Sequence, residues 1–177
     1  MFTQNTIESA PAGSRRAMAA VAEKQGYLPA GVALLAESPE ALEGFLRMTA
    51  TFEACTLDPL AREVVIMTVA VRNGCHLCIA MHTARLAAHG ADPAVAAALR
   101  SAGPLTDPRL AAVRAFTLRV LDTAGDVGDE SLAEFLAHGF TRRNALEIVL
   151  GIGTYTLSTL ANRMTGAPVD EKLRAFA

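Results

Sequence analysis

The part of this sequence best suited to chemistry is RNGCHLCIAMH, residues 72–82, with two cysteines three residues apart and a histidine four residues further on. On a helix, positions three, four and seven residues apart share a face, so Cys75, Cys78 and His82 form one stripe, whereas His76 points about 100° away. The unpaired N–H groups and partial positive charge of a first helical turn favour a thiolate at either cysteine. A neighbouring imidazole adds to this effect when it is protonated, and takes the thiol proton when it is not.

A carboxylate of the preceding helix is expected to lie beside this stripe. If the chain reverses at Asn73-Gly74, Glu63 lies about ten residues before the corner and His82 about eight residues after it, roughly 15 and 12 Å away at ~1.5 Å per residue. A carboxylate next to an imidazole fixes its tautomer and raises its basicity. The alternative interpretation is that Glu63 is a solvated residue in the first turn of its helix.

Several kinds of site can use a close cysteine pair. Attachment of c-type haem requires histidine directly after the second cysteine, where this chain has Ile79, and a thioredoxin-like module requires a βαβ context that the sequence lacks. Two thiolates, His82 and a carboxylate form a ligand set for zinc, although Cys55 is the only other thiol and structural zinc sites usually have a second, well-separated pair. Two inert core cysteines are the other alternative. A redox-active dithiol without metal or cofactor is the favoured interpretation.

Composition limits the partners of the protein. The chain has 177 residues, of which 51% are hydrophobic and 19% charged, so it is expected to form one domain with apolar surface left to meet another subunit. A net charge of −2 without a basic cluster gives no basis for binding nucleic acid or an anionic membrane. The N-terminal stretch lacks the apolar core of a signal peptide, no stretch is apolar enough to span a bilayer, and three cysteines do not suggest a disulfide framework. The protein is therefore expected in the cytoplasm.

Helical spacing of apolar residues dominates the chain, and no segment shows sustained strand-like alternation. We predict an all-α bundle of about eight or nine helices. Residues 1–13 are expected to be a flexible leader, and residues 14–177 a single domain. Residues that typically cap helix N-termini occur at Ser38, Asp58, Asp107, Asp129 and Thr141.

The spacing of four of these residues resembles the signature of a known superfamily. Glu63, eleven intervening residues, Cys75-x-x-Cys78, three residues and His82 resemble the carboxymuconolactone decarboxylase-like superfamily, in its alkylhydroperoxidase (AhpD-like) branch. The similarity extends through SPEALEGFLRM, LAREVVIMTVAVRNGC and LANRM, over residues 38–165. The resemblance implies an all-helical AhpD-like fold assembled as homotrimers or homohexamers. It also implies a peroxidase whose cysteine pair cycles between dithiol and disulfide.

The resemblance also implies a role for each residue. Cys78 would be oxidised by the peroxide substrate to a sulfenic acid, and Cys75 would donate a proton and then close the disulfide, in keeping with thiol oxidation chemistry. Glu63 and His82 would relay protons, and a dithiol, lipoyl or thioredoxin-like, would be the reductant.

One position departs from the pattern of the better-known reductases of this branch. They carry a histidine directly before the second cysteine, where this chain has Leu77, and its histidine lies one residue earlier, at His76. The lactone decarboxylases of the superfamily lack the cysteine pair, so decarboxylation is not expected. A non-catalytic oligomeric or ligand-binding member with a vestigial dithiol is the alternative function.

Overall fold

The computed structural model describes residues 2–177, which form nine α-helices and a final 3-10 helix, with no strand in that range. The predicted all-α fold is confirmed. The helices are α1 (Ala12–Gln25), α2 (Ala30–Leu35), α3 (Pro39–Glu53), α4 (Pro59–Arg72), α5 (His76–Ala88), α6 (Pro93–Arg100), α7 (Pro108–Asp122), α8 (Gly128–Ala137) and α9 (Arg142–Thr165), followed by the 3-10 helix Glu171–Phe176. Within residues 2–177, none of these helices has the length and apolar character needed to cross a membrane.

Four of the five side-chain caps predicted from the sequence are present in the structure. Ser38, Asp58, Asp107 and Thr141 each accept a hydrogen bond from a backbone N–H group of the first turn that follows. The cap predicted at Asp129 is wrong, because α8 starts one residue earlier, after Val127. Asp129 and Glu130 instead lie in the first turn, where their charges interact favourably with the helix dipole.

Helix α4 forms the centre of the bundle and packs against α5, α7 and α9. Nearly every residue from Ala61 to Ala70 is buried, although the helix is only 14 residues long. Such a helix has no solvated face, so a polar side chain on it must find a partner inside the protein. Glu63 is the carboxylate that meets this requirement.

Close packing between α9 and its neighbours depends on Gly151. A Cβ atom at this position would lie 2.6 Å from Cζ of Phe52 on α3 and 3.0 Å from Cγ1 of Val65 on α4. Gly153 lies on the exposed side of the same helix, where a Cβ atom would meet only Cε of Met48, at 3.7 Å. Only the first glycine is therefore required by packing.

The N-terminal residues contact the helices that follow. The backbone N–H of Asn5 donates to the carbonyl of Ala33 (3.1 Å), its side chain donates to Glu37 (3.2 Å), and Ala10 is buried. Helix α1 begins at Ala12, within the segment predicted as a leader. These contacts attach residues 5–10 to α2 and the turn after it.

Helix α9 also carries an apolar surface that no other element covers. Its large exposed apolar residues are Leu146, Val149, Leu160 and Met164. Their spacing places them along one side of the 24-residue helix, which we call the exposed face of α9.

The two glycines of α9 give a test of this packing. Gly151→Ala is expected to lower the free energy of unfolding by about 1–3 kcal/mol, because the added methyl group overlaps the Phe52 ring. Gly153→Ala is the matched control and is expected to raise it by roughly 0.5–1 kcal/mol, because alanine favours the helix. Urea unfolding followed by circular dichroism measures both. Equal effects of the two substitutions would contradict the packing described.

Candidate active site

A tight turn at Gly74 brings the candidate residues together. Gly74 has φ +64°, and its N–H donates to the carbonyl of Val71 (3.0 Å) while the N–H of Cys75 donates to that of Ala70 (2.9 Å). This is the Schellman pattern of a helix C-terminus, in which glycine takes the left-handed conformation at the lowest steric cost. A Cβ atom at Gly74 would also lie 2.9 Å from the Arg163 guanidinium. The turn ends α4 and leaves a single residue, Cys75, before α5 begins.

The two cysteine sulfurs lie in direct contact at the start of α5. Cys75 is the N-cap residue, and its Sγ accepts a hydrogen bond from the N–H of Cys78 at 3.4 Å. The Sγ atoms are 2.9 Å apart, both thiols are free, and both residues are buried. The helix therefore holds the pair within reach of disulfide formation.

The environment makes the two thiols unequal. The hydrogen bond donated by the Cys78 thiol, helped by backbone N–H groups, outweighs burial and lowers the pKa of Cys75 to about 7. Donation to Cys75, together with burial, raises the pKa of Cys78 above its ordinary value. The amide of Asn162 adds a donor to the Cys78 sulfur at 3.4 Å. As the pH rises above about 7, the pair therefore comes to hold one proton and one negative charge, with the charge mainly on Cys75.

Glu63 and His82 form a buried pair beside the sulfurs. Glu63 Oε2 and His82 Nδ1 are 2.7 Å apart, and each residue is only 3% exposed, so the alternative of a solvated glutamate is wrong. Burial acts to raise the pKa of Glu63, but the charge and hydrogen bond of His82 outweigh it and the net pKa is lowered. The edge-to-face contact with the ring of Tyr155, at a centroid distance of 5.3 Å, further fixes the imidazole.

Two cavities border the sulfur pair, one on each side. The inner cavity, of about 110 Å³, lies between α1, α2, α3, α5 and α9, and its wall includes Cys78 and His82 but not Cys75. The outer groove, of about 260 Å³, is open to solvent and is lined by Cys75 but not by Cys78. Leu77 and Asn162 line both and separate them.

Several residues of the site were not predicted from the sequence. Tyr155, Ser158 and Asn162 line the inner cavity from α9, and their spacing of three and four residues, which places these polar side chains on one face of the helix, was the available signal. Thr49, on α3, also lines this cavity, and its buried hydroxyl has no hydrogen-bond partner within residues 2–177. No sequence pattern distinguishes this threonine from others on the helix.

Two other residues considered in the sequence lie outside the inner site. Cys55 is half-buried against the hydrophobic core and lines neither cavity, and burial raises the pKa of its thiol. His76 lines the outer groove together with Cys75 and does not line the inner cavity. Within residues 2–177, no three His, Cys, Asp or Glu side chains are grouped so that they could hold a metal ion.

Comparisons with known proteins place this geometry in a family. Residues 36–118 match the model of the carboxymuconolactone decarboxylase family, a range that includes Glu63, both sulfurs of the pair and His82. No curated protein shows significant sequence similarity to the chain.

The fold matches solved structures along nearly the whole chain. An AhpD-core, peroxidase-related protein from Ralstonia eutropha JMP134 is 22% identical, with a TM-score of 0.86 over 97% of this chain and 93% of that one. A peroxidase-related protein from Silicibacter sp. TM1040 is 20% identical, with a TM-score of 0.76 over 92% and 87%. A cysteine-to-alanine variant of the debrominase Bmp8, in complex with 2,3,4-tribromopyrrole, is 14% identical, with a TM-score of 0.79 over 99% and 95%. Nearly half of the chain thus matches the carboxymuconolactone decarboxylase family model, and the whole chain has an AhpD-like fold.

The unequal thiols give a test of the site. Ultraviolet absorbance of the thiolate is expected to rise with pH through an apparent pKa near 7, because the protonated Cys78 stabilises charge on Cys75. In Cys78→Ala this transition is expected at higher pH, because the S–H donor is removed. Cys55→Ser, which lies outside the site, should leave the transition unchanged. A transition in Cys78→Ala at the wild-type pH would show that the contact between the sulfurs does not set the pKa.

Proposed function

We propose that the protein is a thiol-dependent peroxidase that reduces hydrogen peroxide or small organic peroxides through Cys75 and Cys78. The observation that carries the proposal is the contact of two free thiols, 2.9 Å apart, next to a buried carboxylate–imidazole pair at the wall of an internal cavity. A resolving thiol at this distance traps a sulfenic acid before further oxidation. The peroxidase-related structural neighbours support the same chemistry.

The oxidative half of the cycle starts at Cys78, the sulfur that lines the inner cavity. Transfer of its proton to Cys75 or to His82 leaves a thiolate, which attacks one peroxide oxygen. The O–O bond breaks, Cys78 becomes a sulfenic acid, and the other oxygen leaves as an alcohol or as water after it takes a proton. Cys75 then attacks the Cys78 sulfur, water leaves, and the disulfide forms.

Glu63 and His82 act as the proton relay in this proposal. His82 lies one helical turn after Cys78 and lines the same cavity, so its imidazole can take the thiol proton and deliver it to the leaving oxygen. Glu63 holds the ring by its Nδ1 atom, and that leaves Nε2 free for the exchange.

The inner cavity limits the substrate to a small molecule with an apolar body. Apolar side chains from four helices form much of the wall, among them Val21, Val32, Phe45 and Leu77. The unpartnered hydroxyl of Thr49 and the amide of Asn162 are polar groups available to a bound peroxide. Burial of an organic peroxide here would shield the sulfenic acid from other thiols.

Reductive dehalogenation is a second candidate function. The chain shares its fold with a debrominase solved with a bromopyrrole, and the wall of the inner cavity next to Cys78 suits a small apolar ring. In such a reaction the dithiol would supply two electrons and a proton. Carbon–bromine would be replaced by carbon–hydrogen, bromide would leave, and Cys75 and Cys78 would end as a disulfide.

We further propose that the protein is a cytoplasmic homo-oligomer, a trimer or hexamer, assembled through the exposed face of α9. Support comes from four large apolar side chains aligned on one helix without an intramolecular partner within residues 2–177. Contiguous apolar surface of this kind marks protein interfaces. A cytoplasmic location would supply the reducing thiols that the cycle needs.

The peroxidase proposal is tested with two cysteine variants. Cys78→Ser is expected to abolish peroxide consumption, whereas Cys75→Ser should still form one sulfenic acid per subunit, detected as a dimedone adduct by mass spectrometry. Cys55→Ser is the matched control and should keep the wild-type rate. Full activity in both variants of the pair would exclude the proposal. Bromide release from a bromopyrrole, without peroxide consumption, would favour the second candidate.

The assembly proposal is tested by a charge on the exposed face of α9. Leu160→Glu is expected to reduce the mass measured by light scattering to that of a smaller species, because an unpaired charge is costly in an apolar interface. Glu130→Gln, an exposed change on α8, should leave the mass unchanged. A wild-type protein that is monomeric at all concentrations would contradict the proposal.

A further inference from the structure

We propose that the Cys75–Cys78 disulfide is reduced from the outer groove, by a small anionic dithiol that attacks Cys75 and is selected by Arg163. The inference rests on the proposed dithiol cycle and adds to it a second binding site, a chemical class of reductant and a specificity residue. The two cysteines line different cavities, Cys78 the inner cavity and Cys75 the outer groove.

The two sulfurs are reached by different routes. Cys78 is among the residues that line the inner cavity and Cys75 among those that line the outer groove, and neither residue lines both. The partition consists of Leu77, which is 2% exposed, and Asn162, whose amide is bonded to the Cys78 sulfur. A Cβ atom at Gly31 would lie 2.8 Å from the Asn162 side chain and 3.3 Å from Leu77, so α2 holds the partition in place. A reductant in the groove therefore reaches Cys75 only.

The direction of attack fits this arrangement. In thiol–disulfide exchange the incoming thiolate, the attacked sulfur and the leaving sulfur lie nearly in line. The attack on Cys75 therefore comes from the side away from Cys78. The outer groove is lined by Cys75 and not by Cys78, as this direction of attack requires. The Cys78 thiolate that leaves has a donor in the Asn162 amide.

The exchange balances without a further reactant. One thiolate of the reductant forms a mixed disulfide with Cys75, and Cys78 leaves as a thiolate that takes a proton. The second thiol of the reductant then attacks its own sulfur in the mixed disulfide. Cys75 is released as a thiol and the reductant leaves as a cyclic disulfide. Two electrons and two protons pass from the dithiol to the protein.

Charge in the groove favours an anionic reductant. Arg163 is exposed, donates to the carbonyl of Asn73, and forms no ion pair with a carboxylate of residues 2–177. His76 is the other titratable side chain of the lining besides Cys75, and no acidic residue is present there. A carboxylate on the reductant would thus meet a free guanidinium. A groove of about 260 Å³ suits a small molecule.

A first experiment identifies which of the two cysteine sulfurs an incoming thiolate attacks. The disulfide is made with diamide, so that the experiment does not depend on peroxidase activity, and is then exposed to excess 2-mercaptoethanesulfonate and quenched with N-ethylmaleimide. Fragmentation of the tryptic peptide of residues 73–85 is expected to show the sulfonate adduct on Cys75 and maleimide on Cys78. The reverse labelling would overturn the proposal. Absence of disulfide after peroxide, with this labelling intact, would instead count against the proposed peroxidase function.

Selection by Arg163 is tested with two dithiols of different charge. The diamide-made disulfide is expected to be reduced about threefold to fivefold faster, relative to dithiothreitol, by dihydrolipoate, a carboxylate-bearing 1,3-dithiol that closes to a five-membered cyclic disulfide, in wild type than in Arg163→Gln, the effect of a single exposed ion pair. Arg163→Lys should keep most of the preference, and Arg142→Gln, exposed at the other end of α9, should keep all of it. The preference should fall at high salt. An unchanged preference in Arg163→Gln, or faster reduction by thioredoxin than by either dithiol, would overturn the proposal.

Discussion

The left-handed turn at Gly74 is the constraint on which the site depends. It reverses the chain between α4 and α5 and leaves only Cys75 between the turn and the first residue of α5. The turn thereby sets the register of the two helices. Glu63 then lies beside His82, and Cys75 becomes both the last residue of the Schellman turn and the N-cap of α5. A side chain at Gly74 would incur the steric cost of the left-handed conformation and would also meet the Arg163 guanidinium. The four candidate residues are brought together by local backbone geometry rather than by flexible loops.

These four residues can be buried because each of them has a hydrogen-bonding partner. An isolated carboxylate on the central helix would be neutralised by its desolvation cost, but the imidazole of His82 keeps Glu63 ionised. In the sulfur pair, too, one partner stabilises the charge of the other. The thiol of Cys78 keeps its proton and donates it in a hydrogen bond to the thiolate of Cys75. Removal of one partner therefore changes the charge of the other. One member of each pair, Cys78 and His82, lies on α5, and these two residues are one helical turn apart.

The sequence was sufficient for the features that depend on local signals. Helix caps at Ser38 and Thr141, the glycine turn, and the contact between Glu63 and His82 follow from spacings of fewer than twenty residues. The contribution of α9 did not follow, because Asn162 lies 84 residues from Cys78 in the chain and only tertiary packing brings them together. The two cavities could not be predicted from the sequence either, because residues of five helices form the wall of the inner one. At α8, Asp129 had the residue type of a cap, but the helix extends one residue further and includes it in the first turn.

Leu77 connects the local and the long-range features of the site. At the position where the reductases that this chain resembles carry a second histidine, a buried apolar side chain forms part of the partition between the inner cavity and the outer groove. A leucine cannot carry a proton, so under the proposed function proton transfer at Cys78 is left to Cys75 and to His82 with Glu63. The same leucine keeps the two cavities separate. Under the two proposals, leucine at this position thus removes one relay group and leaves Cys78 on the side of the oxidant and Cys75 on the side of the reductant.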